Sequence, residues 1–178
     1  MSMPESYNYS AYSSGQPAPQ VTEPARPAAV DRGFWLLIAS AVVNIIGAVI
    51  SFVVLSSDEG RSELARVSGL TAAEADTAAT IGIVTGVVVA IISVAVSVLF
   101  AIFARKGHNW ARIIITVFAA LSLFSLIGVN GSAEGILTLV SVLLPIVAVV
   151  LFFTAPASAY FNQMQQYRQA RKMGGYAG

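Results

Sequence analysis

The chain has 178 residues, 56% hydrophobic and only 11% charged, with a formal net charge of +1 and no cysteine. A soluble domain carries about twice that charged fraction, so the composition excludes an ordinary water-soluble domain. The near-zero net charge, with no basic stripe interleaved with aromatics, gives no footprint for nucleic acid, and the missing cysteines exclude disulfides, thiolate metal sites and thiol catalysis.

Residues 1–30 differ from the rest. The stretch SYNYSAYSSGQPAPQVTEPARPAAV is rich in Ser, Tyr, Pro and Ala, has no apolar period, and cannot bury enough surface to offset its ordering entropy. It reads as a disordered tail with polyproline-like character around Pro17, Pro19, Pro24 and Pro27. It lacks the basic start and prompt apolar core of a signal peptide.

Four apolar spans follow, at about 34–55, 79–103, 110–129 and 135–154. Each is long enough to cross a hydrocarbon core of about 30 Å as a helix. Helix is the form expected, because backbone groups in lipid must be satisfied within the segment and the runs lack barrel alternation. The pattern therefore predicts an all-α polytopic membrane domain over residues 31–156: an antiparallel up-down four-helix bundle. A basic, amphipathic tail over 157–178 follows it.

Orientation follows from Lys and Arg in the flanks. Of the ten such residues, only Arg61 and Arg66 lie on one side. Arg26, Arg32, Arg105, Lys106, Arg112, Arg168, Arg171 and Lys172 share the other. Both termini are therefore expected in the cytoplasm of a cell with a multi-pass plasma-membrane protein. The acidic loop 56–78 faces outward.

That loop contains two helix signals. Asp58–Val67 reads as a short helix with Leu64 and Val67 on one side. Thr71-Ala-Ala-Glu74 is a capping box, so the second membrane helix should begin near Ala72, outside the bilayer. The loop's carboxylates lack calcium-loop spacing and read as a solvated acidic face.

Within the first span, Ser40, Asn44, Gly47 and Ser51 share one helix face. Gly82, Gly86, Ala90, Ser93, Ser97 and Ala101 share another on the second, and Gly82-x-x-x-Gly86 permits close backbone approach. The two faces are expected to pack together or to meet a partner. Asn44 is expected to bond across helices, to Ser93 or Ser97 or to Ser122, Ser125 or Ser141; a pore-lining role is the sharper alternative. Pro145 removes a donor mid-span and disrupts the bond to the Ser141 carbonyl, predicting a kink.

The stretch FARKGHNWAR, residues 103–112, reads as a tight turn between the second and third spans. Gly107 permits the turn. Arg105 and Lys106 hold it at an anionic leaflet, Trp110 anchors at headgroup depth, and Arg112 snorkels. His108, the single histidine, reads as a solvated turn residue rather than a metal ligand or pH sensor. In the tail, Tyr160, Met164 and Tyr167 define the apolar side of a short helix. It either lies on the inner leaflet through Arg168, Arg171 and Lys172 or simply extends beyond Pro156 and frays.

No ionisable residue lies in the core of any span, so a proton-coupled carrier lacks its relay. Nucleotide, zinc-hydrolase and serine-hydrolase patterns are missing too. The sequence predicts no enzyme, no cofactor and no metal site.

Several stretches come together here: RPAAVDRGFWLLIASAVVNIIGAVIS after the Pro-rich tail, GLTAAEADTAA, RKGHNWARIIITVFAALSLF and PASAYF. Over about residues 27–161 the chain resembles a group of small four-span actinobacterial membrane proteins with a G-x-N-W-A-R turn. The resemblance implies topology and lineage, with no activity attached. Two functional readings follow. One is a non-catalytic interaction or accessory subunit that meets lipid and a membrane-protein partner or a second copy. The alternative is a homo-oligomeric channel or small-solute transporter in which Ser40, Asn44, Ser51 and Pro145 line or gate the path.

Overall fold

The computed structural model describes residues 22–127, 129 and 131–174. The expectation for the N-terminal tail therefore falls, up to residue 21, outside the described residues. The described residues form six α-helices: α1 (Ala28–Ser56), α2 (Asp58–Ser68), α3 (Ala72–Arg105), α4 (Asn109–Ser122), α5 (Ala133–Phe152) and α6 (Ala155–Gly174). There is no strand among the described residues. Among the described residues, four segments are long and apolar enough to cross a membrane: Ala28–Ser56, Ala72–Arg105, Asn109–Leu126 and Gly135–Phe152.

Local chemistry sets most of the helix ends. Helix α1 starts directly after Pro27, whose fixed φ suits a helix entry, with Asp31 in its first turn facing the positive end of the dipole. It begins six residues before the predicted span, which places its first turns beyond the strictly apolar stretch. Helix α2 is capped by Ser57, which accepts from the Gly60 amide at 3.1 Å, and ends at Gly69 in a left-handed conformation. The capping box on α3 is formed on both sides: Thr71 Oγ1 accepts from the Glu74 amide and Glu74 Oε2 accepts from the Thr71 amide at 2.9 Å.

The third span departs from expectation. Helix α4 stops at Ser122 and tightens into a 3-10 turn over Leu123–Leu126. The hydroxyls of Ser122 and Ser125 donate to carbonyls three residues back, at Ala119 and Ser122. Such back-bonding favours the tighter turn. Fourteen α-helical residues rise about 21 Å, so the 3-10 turn supplies the remaining reach toward a core of about 30 Å.

Helix α1 packs along α5 and α3; α4 packs on α5 and α3; α2 lies against α1 and the start of α3; the backbones of α3 and α5 stay apart. The N-terminal end of α1 meets the C-terminal ends of α3 and α5, through Asp31 with Arg105 and Gly33 with Phe152. At Gly33 a Cβ would lie 2.6 Å from Phe152 Cε1, so only glycine lets that ring lie on the α1 backbone. The main core collects at this same end. Val30, Phe34 and Leu37 of α1 join Ala101 and Ala104 of α3, Ala111 and Ile115 of α4, Ala148 and Phe152 of α5, and Ala157, Tyr160, Phe161 and Met164 of α6. Alanines at the crossings let the backbones approach closely, the packing mode available where lipid gives no hydrophobic drive.

Candidate functional site

Two regions gather chemistry-bearing residues: the turn at the basic end and a polar layer midway along the bundle.

At the turn, α3 ends at Arg105 and α4 begins after His108. Gly107 carries the chain through φ +75°, the left-handed region that glycine occupies without strain. It is buried, and a Cβ there would lie 2.8 Å from Met164 Cγ and 3.1 Å from the Tyr160 ring. Helix α6 is thus seated directly on the turn. Arg168 donates to the carbonyl oxygens of Lys106 at 3.1 Å and Gly107 at 2.6 Å, satisfying acceptors that a helix end leaves open. The Tyr160 hydroxyl donates to the Arg105 carbonyl at 3.3 Å.

This corrects the expectation for the tail. Tyr160, Met164 and the adjacent Phe161 are buried against protein, with Phe161 wholly covered. The apolar face expected to lie on lipid is taken up by the bundle. Several expected membrane anchors are likewise engaged inside the protein. Arg105 donates to Asp31 at 2.9 Å and sits 4.6 Å above the Phe34 ring. Arg112 lies over Phe153 and Phe161 at 4.9 and 5.1 Å, and its Nη1 is 3.5 Å from Ser158 Oγ. Its Nε and Asn109 Oδ1 are buried without hydrogen-bond partners. Trp110 is half exposed and packs by its edge on Phe100 and obliquely on Phe103. Lys106, Arg171 and Lys172 are exposed.

His108 is half-buried, with Nδ1 3.2 Å from the Phe103 carbonyl oxygen. Burial pushes its imidazole below the ordinary value; the charges of Arg168 and Lys106 push the same way, against the Phe103 carbonyl. Nearby, a hydrogen bond with Tyr160 and the Asp31 carboxylate raise the Arg26 guanidinium. No group of three or more metal-ligating side chains occurs among the described residues.

The polar layer centres on Pro145, which lies inside α5. Proline has no N–H, so the Ser141 carbonyl loses its partner within the helix. Ser40 of α1, only 5% exposed, donates its hydroxyl to that carbonyl at 3.0 Å. Asn44 does not bond across helices as expected; its amide donates back to the Ser40 carbonyl at 2.8 Å. Asn44, Gly47 and Ser51 line a small cleft with Leu137, Thr138 and Ser141 of α5, while Asn44 and Ser51 also border the spaces lined by the small-residue face of α3.

Gly82 comes within 3.5 Å of Leu55 when given a Cβ, and one at Gly86 would meet nothing within 4 Å. Both border a groove of about 730 Å³ between α1 and α3, lined also by Ile45, Ala48, Phe52 and Ala90. Gly86, Ser93 and Ser97 border a second cavity of about 650 Å³ among α1, α3, α4 and α5, with Ser40, Asn44, Ser122, Ser141 and Pro145 on its other walls. The cavity and the seating of α6 are the features sequence reasoning missed; the signal for the second was Gly107 beside an amphipathic tail.

Comparisons with protein-family models, with curated proteins and with solved structures give no match.

Proposed function

We propose that this is a multi-pass plasma-membrane protein, an antiparallel up-down four-helix bundle with both termini cytoplasmic, that acts without catalysis as an interaction or accessory subunit of a membrane complex. The meeting of the α1 start with the ends of α3 and α5 supports the antiparallel arrangement. The Lys and Arg distribution supports the orientation, and the G-x-N-W-A-R resemblance to actinobacterial four-span proteins points the same way. Because the chain has no cysteine, single cysteines placed at Ser62 and Gln165 test the topology directly. Modification from outside at the first position only is the expected result.

The observation that carries the interaction reading is the groove between α1 and α3. It is backed by Gly82 and Gly86 and is lined mostly by apolar side chains. Small residues spaced by four let a partner helix approach closely. Gly82→Leu with Gly86→Leu fills the groove while leaving the basic-end core intact. A complex of fixed stoichiometry, extracted gently from the native membrane, should be lost in that variant; a complex that survives it refutes the reading.

The polar layer favours one second reading, a homo-oligomeric channel. Solute flux in vesicles should then fall with Asn44→Leu; unchanged flux removes Asn44 from the path.

A further inference from the structure

Arg112 stands apart from the other arginines. Arg26 and Arg105 pair with Asp31, Arg61 with Asp76 and Arg66 with Glu63. Arg168 donates to two carbonyls, and Arg32 and Arg171 are exposed. Arg112 is half-buried, yet it meets no carboxylate among the described residues. Its guanidinium lies over the Phe153 and Phe161 rings at 4.9 and 5.1 Å. Among the described residues its one polar contact is Ser158 Oγ, 3.5 Å from Nη1. A lysine or histidine so placed could shed its proton; a guanidinium cannot. The charge therefore persists, and a partly covered charge calls for an anion beside it.

The guanidinium is open at its tip. Nε is buried without a partner, whereas Nη2 is neither buried nor hydrogen-bonded among the described residues. The adjacent Ser158 hydroxyl is loosely held. It accepts from Arg112 at 3.5 Å and donates to the Phe153 carbonyl at 3.4 Å, both beyond the about 2.5–3.2 Å of well-formed bonds. Its proton is free to turn to a ligand oxygen.

Depth and geometry select the anion. Arg112 follows the half-exposed Trp110 by two residues, about 3 Å of helix rise, and the apolar run of α4 begins at Ile113. This is headgroup depth for a spanning helix, where the anion a bilayer presents is phosphate. A carboxylate has two oxygens, which a guanidinium fork takes up. A phosphate has a further oxygen for the Ser158 hydroxyl.

We infer that Arg112 and Ser158 bind a phosphate group, carried by a phospholipid headgroup or free in solution. It is held by hydrogen bonds to one phosphate, so net-neutral phosphatidylcholine satisfies it. The site is thus separate from the exposed basic residues, which attract lipid through its net charge, and from the groove between α1 and α3.

The test uses the full chain in two settings. In one it is reconstituted in phosphatidylcholine vesicles, extracted in mild detergent and weighed intact by native mass spectrometry. In the other it is kept in phosphate-free maltoside micelles and titrated with inorganic phosphate, then with acetate, by calorimetry. One phosphatidylcholine retained per chain, displaced by added phosphate, assigns the site to a headgroup. Phosphate binding without retained phosphatidylcholine assigns it to free phosphate. Binding in neither setting overturns the inference, as does acetate binding as tightly as phosphate. Arg112→Gln should weaken binding at least about tenfold, equivalent to about 1.4 kcal/mol. Ser158→Ala leaves the guanidinium on its rings and should weaken binding about threefold or more, the loss of one hydrogen bond. It decides the matter if Arg112→Gln loosens α6 as read by proteolysis; unchanged binding in Ser158→Ala then overturns the inference. Replacing Lys106, Arg171 and Lys172 together by Gln should leave phosphatidylcholine retention unchanged. A loss there equal to that of Arg112→Gln overturns the inference and assigns retention to diffuse charge.

Discussion

Substituting Ser40 by alanine probes how the bundle repairs the break made by Pro145. The Ser141 carbonyl has lost its helical donor, and its replacement comes from α1 through the Ser40 hydroxyl at 3.0 Å. The hydroxyl of Ser141 itself is engaged elsewhere, donating to Thr138 at 2.9 Å. Ser40→Ala therefore leaves a carbonyl without a donor where no water reaches it. Interhelical hydrogen bonds in membrane proteins average about 0.6 kcal/mol and reach about 1.7. A buried acceptor stripped of its donor falls toward the upper end, so a loss of about 1–2 kcal/mol is expected. In a Pro145→Ala background the N–H at position 145 is restored and the Ser141 carbonyl is paired within α5, so Ser40→Ala should there cost only a few tenths of a kcal/mol. Reversible unfolding of the four proteins in mixed micelles with rising SDS yields the coupling energy. A loss that is equal in the two backgrounds, to within the about 0.3–0.5 kcal/mol expected of independent sites, would refute the argument that Ser40 serves the proline break.

Three further outcomes follow from the basic-end turn and the acidic loop. Gly107→Ala should release α6, because it adds a left-handed penalty of about 1–2 kcal/mol to the collision with Met164. Gly69→Ala, at φ +68° with open space around it, carries the backbone penalty alone, so α6 should become protease-sensitive in the first variant and not in the second. Folding lowers the His108 pKa, so the neutral imidazole is the form the folded state favours. Its contribution is full above the unfolded value of about 6.5 and is lost as pH falls through the lowered folded value. Protection of α6 should weaken on acidification, and His108→Gln should flatten that dependence. Thr71→Ala should remove the capping box at a cost of about 0.5–2 kcal/mol, speeding amide exchange in the first turn of α3 and leaving exchange at the Phe152 core unchanged.

What was legible in the sequence was what short stretches of chain decide. The Thr71–Glu74 cap, the α2 helix and the four apolar segments each follow from a few adjacent residues, and each appears in the structure. The freed Ser141 carbonyl was also readable, from Pro145 alone. Its donor was not, because Ser40 lies 101 residues away in sequence and nothing local distinguishes it from Asn44, which turned back on its own helix. The tail was open between two readings for a different reason. Tyr160, Met164 and Tyr167 announce an apolar face, but lipid and an apolar protein end solvate that face equally well, so periodicity cannot choose between them. Phe161, three residues before Met164 on the same side of the helix, is wholly buried. Gly107 meets two demands at once: the turn takes φ +75° there, and a Cβ would strike Met164 of α6.

The basic residues divide into two sets with different work. Arg105 and Arg168 are used within the protein, by Asp31 and by the carbonyls of the turn. On the opposite end Arg61 pairs with Asp76 at 3.2 Å, and Arg66 with Glu63. Arg32, Lys106, Arg171 and Lys172 are exposed and make no ion pair among the described residues. The charge left for lipid is therefore concentrated at the basic end, and there in four residues. Anionic lipid near a membrane surface is attracted by about 1 kcal/mol per such residue. Replacing Lys106, Arg171 and Lys172 together by Gln should strip anionic lipid from the purified protein while α6 stays protected. Arg168→Gln should do the reverse, loosening α6 with little change in bound anionic lipid. If Arg168→Gln depletes the lipid as strongly as the triple variant does, the division is wrong and Arg168 faces the bilayer after all.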